Sequence, residues 1–205
     1  MAYPYQTIYL ASASPRRREL LKQIGVRFEV LLLRTQPARA EVDETPILGE
    51  APRDYVVRLA RAKAEAGSMA CRSRHLPAYP VLAADTTVTL DGAIIGKPAN
   101  RAEAEATLAR LAGRRHEVLS AVAIAFDGRL EVKLSASCVE FAPLDASAIK
   151  RYVASGESHD KAGAYAIQGR AAAFVTRLEG SYSGVMGLPL SETSQLLQKF
   201  GIEVI

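Results

Sequence analysis

The sequence predicts an α/β fold: a mixed sheet with flanking helices and two lobes around a cleft. Three observations predict it. Short apolar runs of strand length are interleaved with stretches whose apolar residues recur at helical spacing, the pattern of helices packed on a sheet. Two Asp-Gly dipeptides, Asp91-Gly92 and Asp127-Gly128, each join alternating runs and specify tight hairpins, so part of the sheet is antiparallel. Apolar residues make up 49% of the 205 residues and charged residues 23%, enough to bury a sizeable core. No linker composition divides the chain. Residues 1–205 therefore read as one domain, with one lobe built on the first strand–helix unit and the other on residues 85–140.

The elements follow in order. Residues 7–11 (TIYLA) form a first strand. Ser14 caps the next helix, Pro15 suits its first position, Leu20, Leu21 and Ile24 make its apolar face, and Gly25 ends it. Residues 26–33 (VRFEVLLL) are a second strand. Residues 34–52 exceed the usual connection length, which suggests a functional loop. Pro52 starts a long helix over 52–69, with Val56, Leu59, Ala60 and Lys63 on one stripe. Residues 79–85 (YPVLAAD) are a buried strand ending in an acid, and 86–97 are a hairpin about Asp91-Gly92. Residues 100–113 are a helix with Asn100 as cap, Glu103 as reciprocal partner and Gly113 as stop. Residues 116–142 are a second, longer hairpin. Asp145 caps a helix running to about Val153. Residues 156–169 (GESHDKAGAYAIQG) are a glycine-bearing loop, 171–180 a strand, 181–189 a turn and 191–201 a last helix.

Several function classes are disfavoured. Cys71 and Cys138 are far apart in unlike contexts, which argues against a disulfide framework or a zinc site and fits a reducing, cytoplasmic setting. The N-terminal stretch lacks the basic and apolar regions of a signal peptide, and no apolar run approaches a membrane span. His75, His116 and His159 show no metal-ligand spacing. The net charge of +4 permits a polyanionic partner without demanding one. Aromatics are only 6% and no basic run interleaves with them, so a stacking platform for single-stranded nucleic acid is poorly supported.

Other residues point toward chemistry. Ser12-Ala13-Ser14-Pro15 is followed by Arg16, Arg17 and Arg18, three cations in the first turn of a helix. The helix dipole is already positive there, so this placement is unfavourable unless an anion joins them. The plain alternative is a capped surface helix with solvated arginines. Lys63 falls on an inward stripe, where it either meets a partner or snorkels to water. Asp85 stands at a strand end, the usual edge of a ligand crevice in α/β folds. Counting back from the two-residue turn puts Thr86 opposite Lys97, so Asp85 points to the other face, and a bend is needed for both to reach one ligand. Glu41, Asp43 and Glu44 give the long loop an oxygen-rich cluster suited to Mg²⁺, or simply a solvated acidic face.

Three segments together carry a resemblance: residues 10–21 (LASASPRRRELL), 83–98 (AADTTVTLDGAIIGKP) and 160–193 (DKAGAYAIQGRAAAFVTRLEGSYSGVMGLPLSET). In order and content they resemble the signatures of the Maf-like nucleoside triphosphate pyrophosphatases, and the likeness spans nearly the whole chain. The resemblance implies a fold like that of the inosine triphosphate pyrophosphatases, a cytoplasmic location and a homodimer. It implies hydrolysis of a nucleoside triphosphate to the monophosphate and pyrophosphate with a divalent metal cation, Mg²⁺ or Mn²⁺. It assigns catalysis to Asp85, phosphate binding to Ser12, Ser14, Arg17, Lys63 and Lys97, and a metal-binding role to Asp85 with Glu44. Within the family, a dTTP/UTP branch is implied to use specificity positions that fall on Arg16, Thr86 and Gln168. A 7-methyl-GTP branch tends to carry tryptophan in the Ser-Pro-x-Arg motif, and this chain has no tryptophan. The amide of Gln168 offers a donor and an acceptor together, which match the N3–H and a carbonyl of uracil or thymine. The rival class is a nucleotide- or nucleic-acid-binding regulator of division without turnover.

Overall fold

A computed structural model describes residues 6–34 and 42–204. Residues 1–5, Glu41 of the acidic loop and the rest of 35–41 lie outside the described residues. The chain runs β1 (Thr7–Leu10), α1 (Pro15–Gln23), β2 (Arg27–Val30), α2 (Pro52–Ser73), β3 (Val81–Leu90), β4 (Ala93–Ile95), α3 (Arg101–Leu111), β5 (Arg115–Phe126), β6 (Arg129–Phe141), α4 (Ala146–Ala154), β7 (Val175–Glu179), α5 (Tyr182–Met186) and α6 (Leu190–Lys199). These strands form one mixed sheet in the order β2-β1-β3-β5-β6-β7, with β4 paired to β3. β1 is parallel to β2 and β3, because helices α1 and α2 make the crossovers. The two Asp-Gly turns make β3–β4 and β5–β6 antiparallel, as the dipeptides predict.

Strand periodicity sorts the core. Ile8, Leu10, Leu82, Ala84, Val122 and Ile124 face α1 and α6. Their neighbours Tyr9, Ala11, Val81, Ala83, Ala121 and Ala123 face α2. Small residues on that second face let the helix lie close: a Cβ on Gly67 of α2 would stand 2.7 Å from Val81 Cγ1. A third cluster, with Val88, Leu90, Val118 and Phe141, packs under α3 and α4 at the far ends of the long strands.

Some boundaries differ from those expected. β2 stops at Val30 rather than residue 33, and α2 continues to Ser73. Asp85 does not end a strand. β5 pairs with β3 from Val81 to Thr89, so the ladder carries β3 straight through Asp85 to the hairpin turn. The first half of the strand expected over 171–180 is a 3₁₀ turn, Arg170–Phe174, because its first amides are held by Glu157 rather than by a neighbouring strand. The turn expected over 181–189 contains the short helix α5, capped by the Ser181 hydroxyl accepting from Gly184 N–H.

Candidate active site

The crevice arises where β1 leaves the sheet. β1 pairs with β3 only as far as Leu10–Leu82, and Ala11 N–H still donates to Leu82 O. After that the chain turns away toward β2, while β3 continues and leads to the opposite side. Two neighbouring parallel strands whose chains depart in opposite directions leave a gap beyond their shared end, the usual ligand position in such sheets. Asp85 and Thr86 stand at that gap, on opposite faces of β3 as the pleat requires.

On the α2 face, Asp85 is buried, and its Oδ1 accepts from Lys63 Nζ at 2.7 Å. The same ammonium is 2.7 Å from Glu44 Oε1. Lys63 therefore does not snorkel to water; it joins two carboxylates from different segments. The acidic loop is held in place by α2. Tyr55 Oη donates to Glu44 O at 3.0 Å, and Arg58 donates to Glu50, Thr45 O and Asp43 O. Asp43 accepts from Thr45 N–H, which leaves Glu44 as the described acid that reaches the site. Burial pushes Glu44 up, but the charges of Lys63, Lys97 and Arg17 outweigh it and hold the carboxyl below its ordinary value.

Lys97 does not pair with Thr86. β4 ends at Ile95, so Lys97 lies beyond the hairpin ladder, free of its register, and its charge acts on Glu44. The bend that the alternation demands is thus the end of the strand.

On the other face, Arg17 is the centre of a neutral hydrogen-bond network. Its Nε donates to Gly187 O at 2.8 Å, Nη1 to Ser12 Oγ at 3.2 Å and Nη2 to Thr86 Oγ1 at 3.5 Å. Thr86 Oγ1 is 2.8 Å from Ser120 Oγ, which donates to Gly184 O at 2.6 Å. Arg17 thereby joins α1, β3 and the segment between α5 and α6. Burial lowers its pKa, while Asp85 and Glu44 oppose that shift. Ser12 Oγ also accepts from Ser14 N–H at 3.2 Å, which folds the loop onto itself. Ser14 is the N-cap of α1, yet its side chain makes no capping bond, so its hydroxyl stays available at the positive end of the helix.

Arg16 is half-buried, which lowers its pKa, while Glu19 and then Tyr152 of α4 oppose that shift. Tyr152 belongs to a clamp that sequence reasoning missed. Glu157 accepts from Tyr152 Oη at 3.0 Å, Arg170 N–H at 3.0 Å and Ala171 N–H at 3.4 Å, and Tyr152 Oη accepts from Ala166 N–H at 3.2 Å. Gln168 projects from the segment between these anchors, with an exposed side chain. Nothing in local propensity marks Glu157 or Tyr152; only the excess of polar residues in 156–169 draws the eye. The structure thus gathers Ser12, Ser14, Arg17, Lys63, Asp85, Thr86 and Glu44 about β3, with the Lys97 charge acting on Glu44. Arg16 is within electrostatic reach of Tyr152 of that clamp.

His116, unassigned in the sequence, is a core residue whose Nε2 lies 2.9 Å from Tyr165 Oη. Cys71 and Cys138 are both free. Among the described residues, no helix is long and apolar enough to cross a membrane, and no three His, Cys, Asp or Glu side chains gather as a metal cage.

Known proteins match this chain over nearly its whole length. A protein from Nitrosomonas europaea named "dTTP/UTP pyrophosphatase" is 56% identical over 198 residues, covering 96% of each chain. One of the same name from Burkholderia lata is 58% identical, covering 95% of this chain and 93% of its own. The solved structure of the Staphylococcus aureus Ham1 protein aligns at 19% identity with a TM-score of 0.44, over 66% of this chain and 72% of that one. The model of the family described as "Maf-like protein" matches residues 7–200. With the family signature spanning all but the chain's ends, the protein belongs to the Maf-like family.

Proposed function

We propose that the protein is a hydrolase that converts dTTP and UTP to the monophosphate and pyrophosphate. The observation that carries this reading is the meeting of Asp85 and Glu44 on Lys63, at 2.7 Å each, with Arg17 of the arginine-rich helix start bonded to Thr86, the residue after Asp85. Relatives more than half identical over nearly full length bear the name of that activity. A triphosphate supplies the anion that the Ser12–Arg17 turn lacks.

Asp85 and Glu44 would hold a divalent cation, Mg²⁺ or Mn²⁺. Two hard carboxylates converging from separate segments suit such an ion when substrate phosphates complete its shell. When bound, the ion neutralises charge building on the phosphates. The chain's own groups do the rest. Lys63 bridges both carboxylates and holds them close together before substrate arrives. Asp85 holds Lys63 through Oδ1, which leaves Oδ2 to accept a proton from the attacking water. The Ser14 hydroxyl and the first N–H groups of α1 receive phosphate oxygens, with Arg16 and Lys97 balancing charge. Arg17 and Thr86 fix the turn that presents them. Gln168 reads the N3–H and carbonyl edge of uracil or thymine.

The deciding experiment is pyrophosphate release from a panel of nucleoside triphosphates with Mg²⁺ or Mn²⁺. The expected result is hydrolysis of both dTTP and UTP, because one methyl group discriminates by about 1–3 kcal/mol at most. CTP should be poorer, since its N3 carries no proton. A higher kcat/KM for 7-methyl-GTP would transfer the protein to another substrate, and binding without turnover would favour the regulator. Three further readings belong to the same proposal: residues 1–205 as one domain, from the lack of linker composition; a cytoplasmic setting, from the cysteine usage and the family resemblance; and a homodimer, from the family resemblance. Light scattering on the purified chain tests the last.

A further inference from the structure

The stretch from Glu157 to Gly163 is anchored at both ends, and each anchor lies within reach of a cation of the site. At one end, Gly163 N–H donates to Gly96 O at 3.1 Å, next to Lys97. This docking needs glycine: φ is +71°, and a Cβ there would stand 2.8 Å from Val88 Cγ2. At the other end, Glu157 accepts from the Tyr152 hydroxyl, which lies within electrostatic reach of Arg16. Lys161 lies between the two anchors, two residues before Gly163. The fold therefore brings it within electrostatic reach of both Lys97 and Arg16, which belong to segments far away in the sequence.

Lys161 is half-buried, and its Nζ donates to His159 O at 3.0 Å. Burial and then the Arg16 charge hold its ammonium below the ordinary lysine value; Asp160 and Glu157 oppose this, and Lys97 adds to it. Neither acid neutralises it by contact. Asp160 pairs with His159, and Glu157 is engaged by Tyr152 and the amides of Arg170 and Ala171. Three like charges brought together by a built backbone contact, with no carboxylate in salt-bridge reach of Lys161 among the described residues, form a receptor for a polyanion.

We propose that Lys161 is a substrate-binding residue whose ammonium joins Arg16 and Lys97 around the triphosphate. This rests on the triphosphate reading of the same crevice. The test compares Lys161→Met, Lys161→Gln and Lys161→Arg with the wild-type protein in three measurements. They are steady-state kinetics on dTTP and UTP, equilibrium binding of a non-hydrolysable α,β-methylene dTTP analogue, and equilibrium binding of dTMP. Loss of one charge-assisted contact should raise KM and weaken the analogue about tenfold in the Met and Gln variants. Lys161→Arg should restore most of both, melting temperatures should stay near wild type, and dTMP binding should change far less than analogue binding. Unchanged KM and analogue affinity in the Met and Gln variants would overturn the proposal. So would equal weakening of dTMP and the analogue, which would mean that Lys161 only shapes the loop carrying Gln168. Wild-type binding of the analogue without turnover would refute the hydrolase reading while leaving the Lys161 comparison decisive.

Discussion

Replacing Lys63 with methionine keeps most of the stem and removes the one charge between two carboxylates. In the wild-type protein, Nζ stands 2.7 Å from both Asp85 and Glu44. Without it, two like charges remain about 5 Å apart, a repulsion of about 3 kcal/mol at an effective dielectric near 20. The Glu44 side chain is 51% exposed against 11% for Asp85, so solvent screening leaves about 1–2 kcal/mol. The sign follows from proton linkage. In the wild-type protein the Lys63 charge helps to hold Glu44 below its ordinary value, so its loss raises the folded pKa of Glu44 relative to wild type; the stability that ionised Glu44 contributes at neutral pH is reduced, and the difference between variant and wild type fades as pH falls through the carboxyl range. The assay is urea unfolding of wild type and Lys63→Met in metal-free buffer, from about pH 7.5 down to about pH 5, where unfolded carboxylates are still mostly ionised. The stability deficit should shrink toward the acidic end, and kcat/KM for dTTP at neutral pH should fall by about a hundredfold or more. A deficit that is constant with pH, together with near-normal turnover, would show that Lys63 contributes only its packed stem.

Three other outcomes are expected. Asp85→Asn should abolish pyrophosphate release while the far-UV circular dichroism spectrum stays wild type, because shape is kept and the charge is lost; turnover within a few-fold of wild type would remove Asp85 from the reaction. Gln168→Glu should lower kcat/KM on dTTP and UTP alike, since a carboxylate cannot donate to a pyrimidine carbonyl; an unchanged ratio to wild type on both would take Gln168 out of base reading. Burial lowers His116 to about 4, against the opposing hydrogen bond at Arg114. The unfolded value is about 6.5, so the unfolded chain takes up a proton first, and stability is lost as pH falls from about 6.5 toward 4, by roughly 3 kcal/mol in total. His116→Phe should flatten that limb in denaturant titrations whatever its absolute stability.

The parts of the fold that local rules govern were legible in the residues. Asp91-Gly92 and Asp127-Gly128 make the two hairpins, Asn100 and Asp145 cap their helices, and Pro15 and Pro52 open theirs. Asp85 was found as a crevice acid although β3 does not end there. The opening comes from β1 turning away, and no property of β3 alone reports what its neighbour does. Lys97 is the same lesson reversed. Strict register sets it against Thr86, but the short β4 releases it, and strand length depends on what the far side packs against. Glu157 and Tyr152 escaped because their partners are backbone amides of a loop, a contact with no periodicity to reveal it.

The three arginines after Pro15 look equivalent in the sequence, and the helix dipole disfavours all three alike. The fold separates them. Arg17 is turned inward, and its hydrogen bonds go to the Gly187 carbonyl and the Ser12 and Thr86 hydroxyls. These acceptors fix its direction without neutralising its charge. The charges that oppose its burial belong to Asp85 and Glu44, across β3. A half-buried cation held by neutral oxygens, with two carboxylates on the far side of one strand, keeps a field across the crevice that no bound group is needed to set up. Arg16, within electrostatic reach of Tyr152, is left to meet what enters. The unfavourable charge at the helix start is therefore divided between a member that organises the site and a member that faces it, and only the second should be replaceable without loosening α1 from β3. Arg16→Ala should spare the melting temperature, whereas Arg17→Ala should lower it as well as activity.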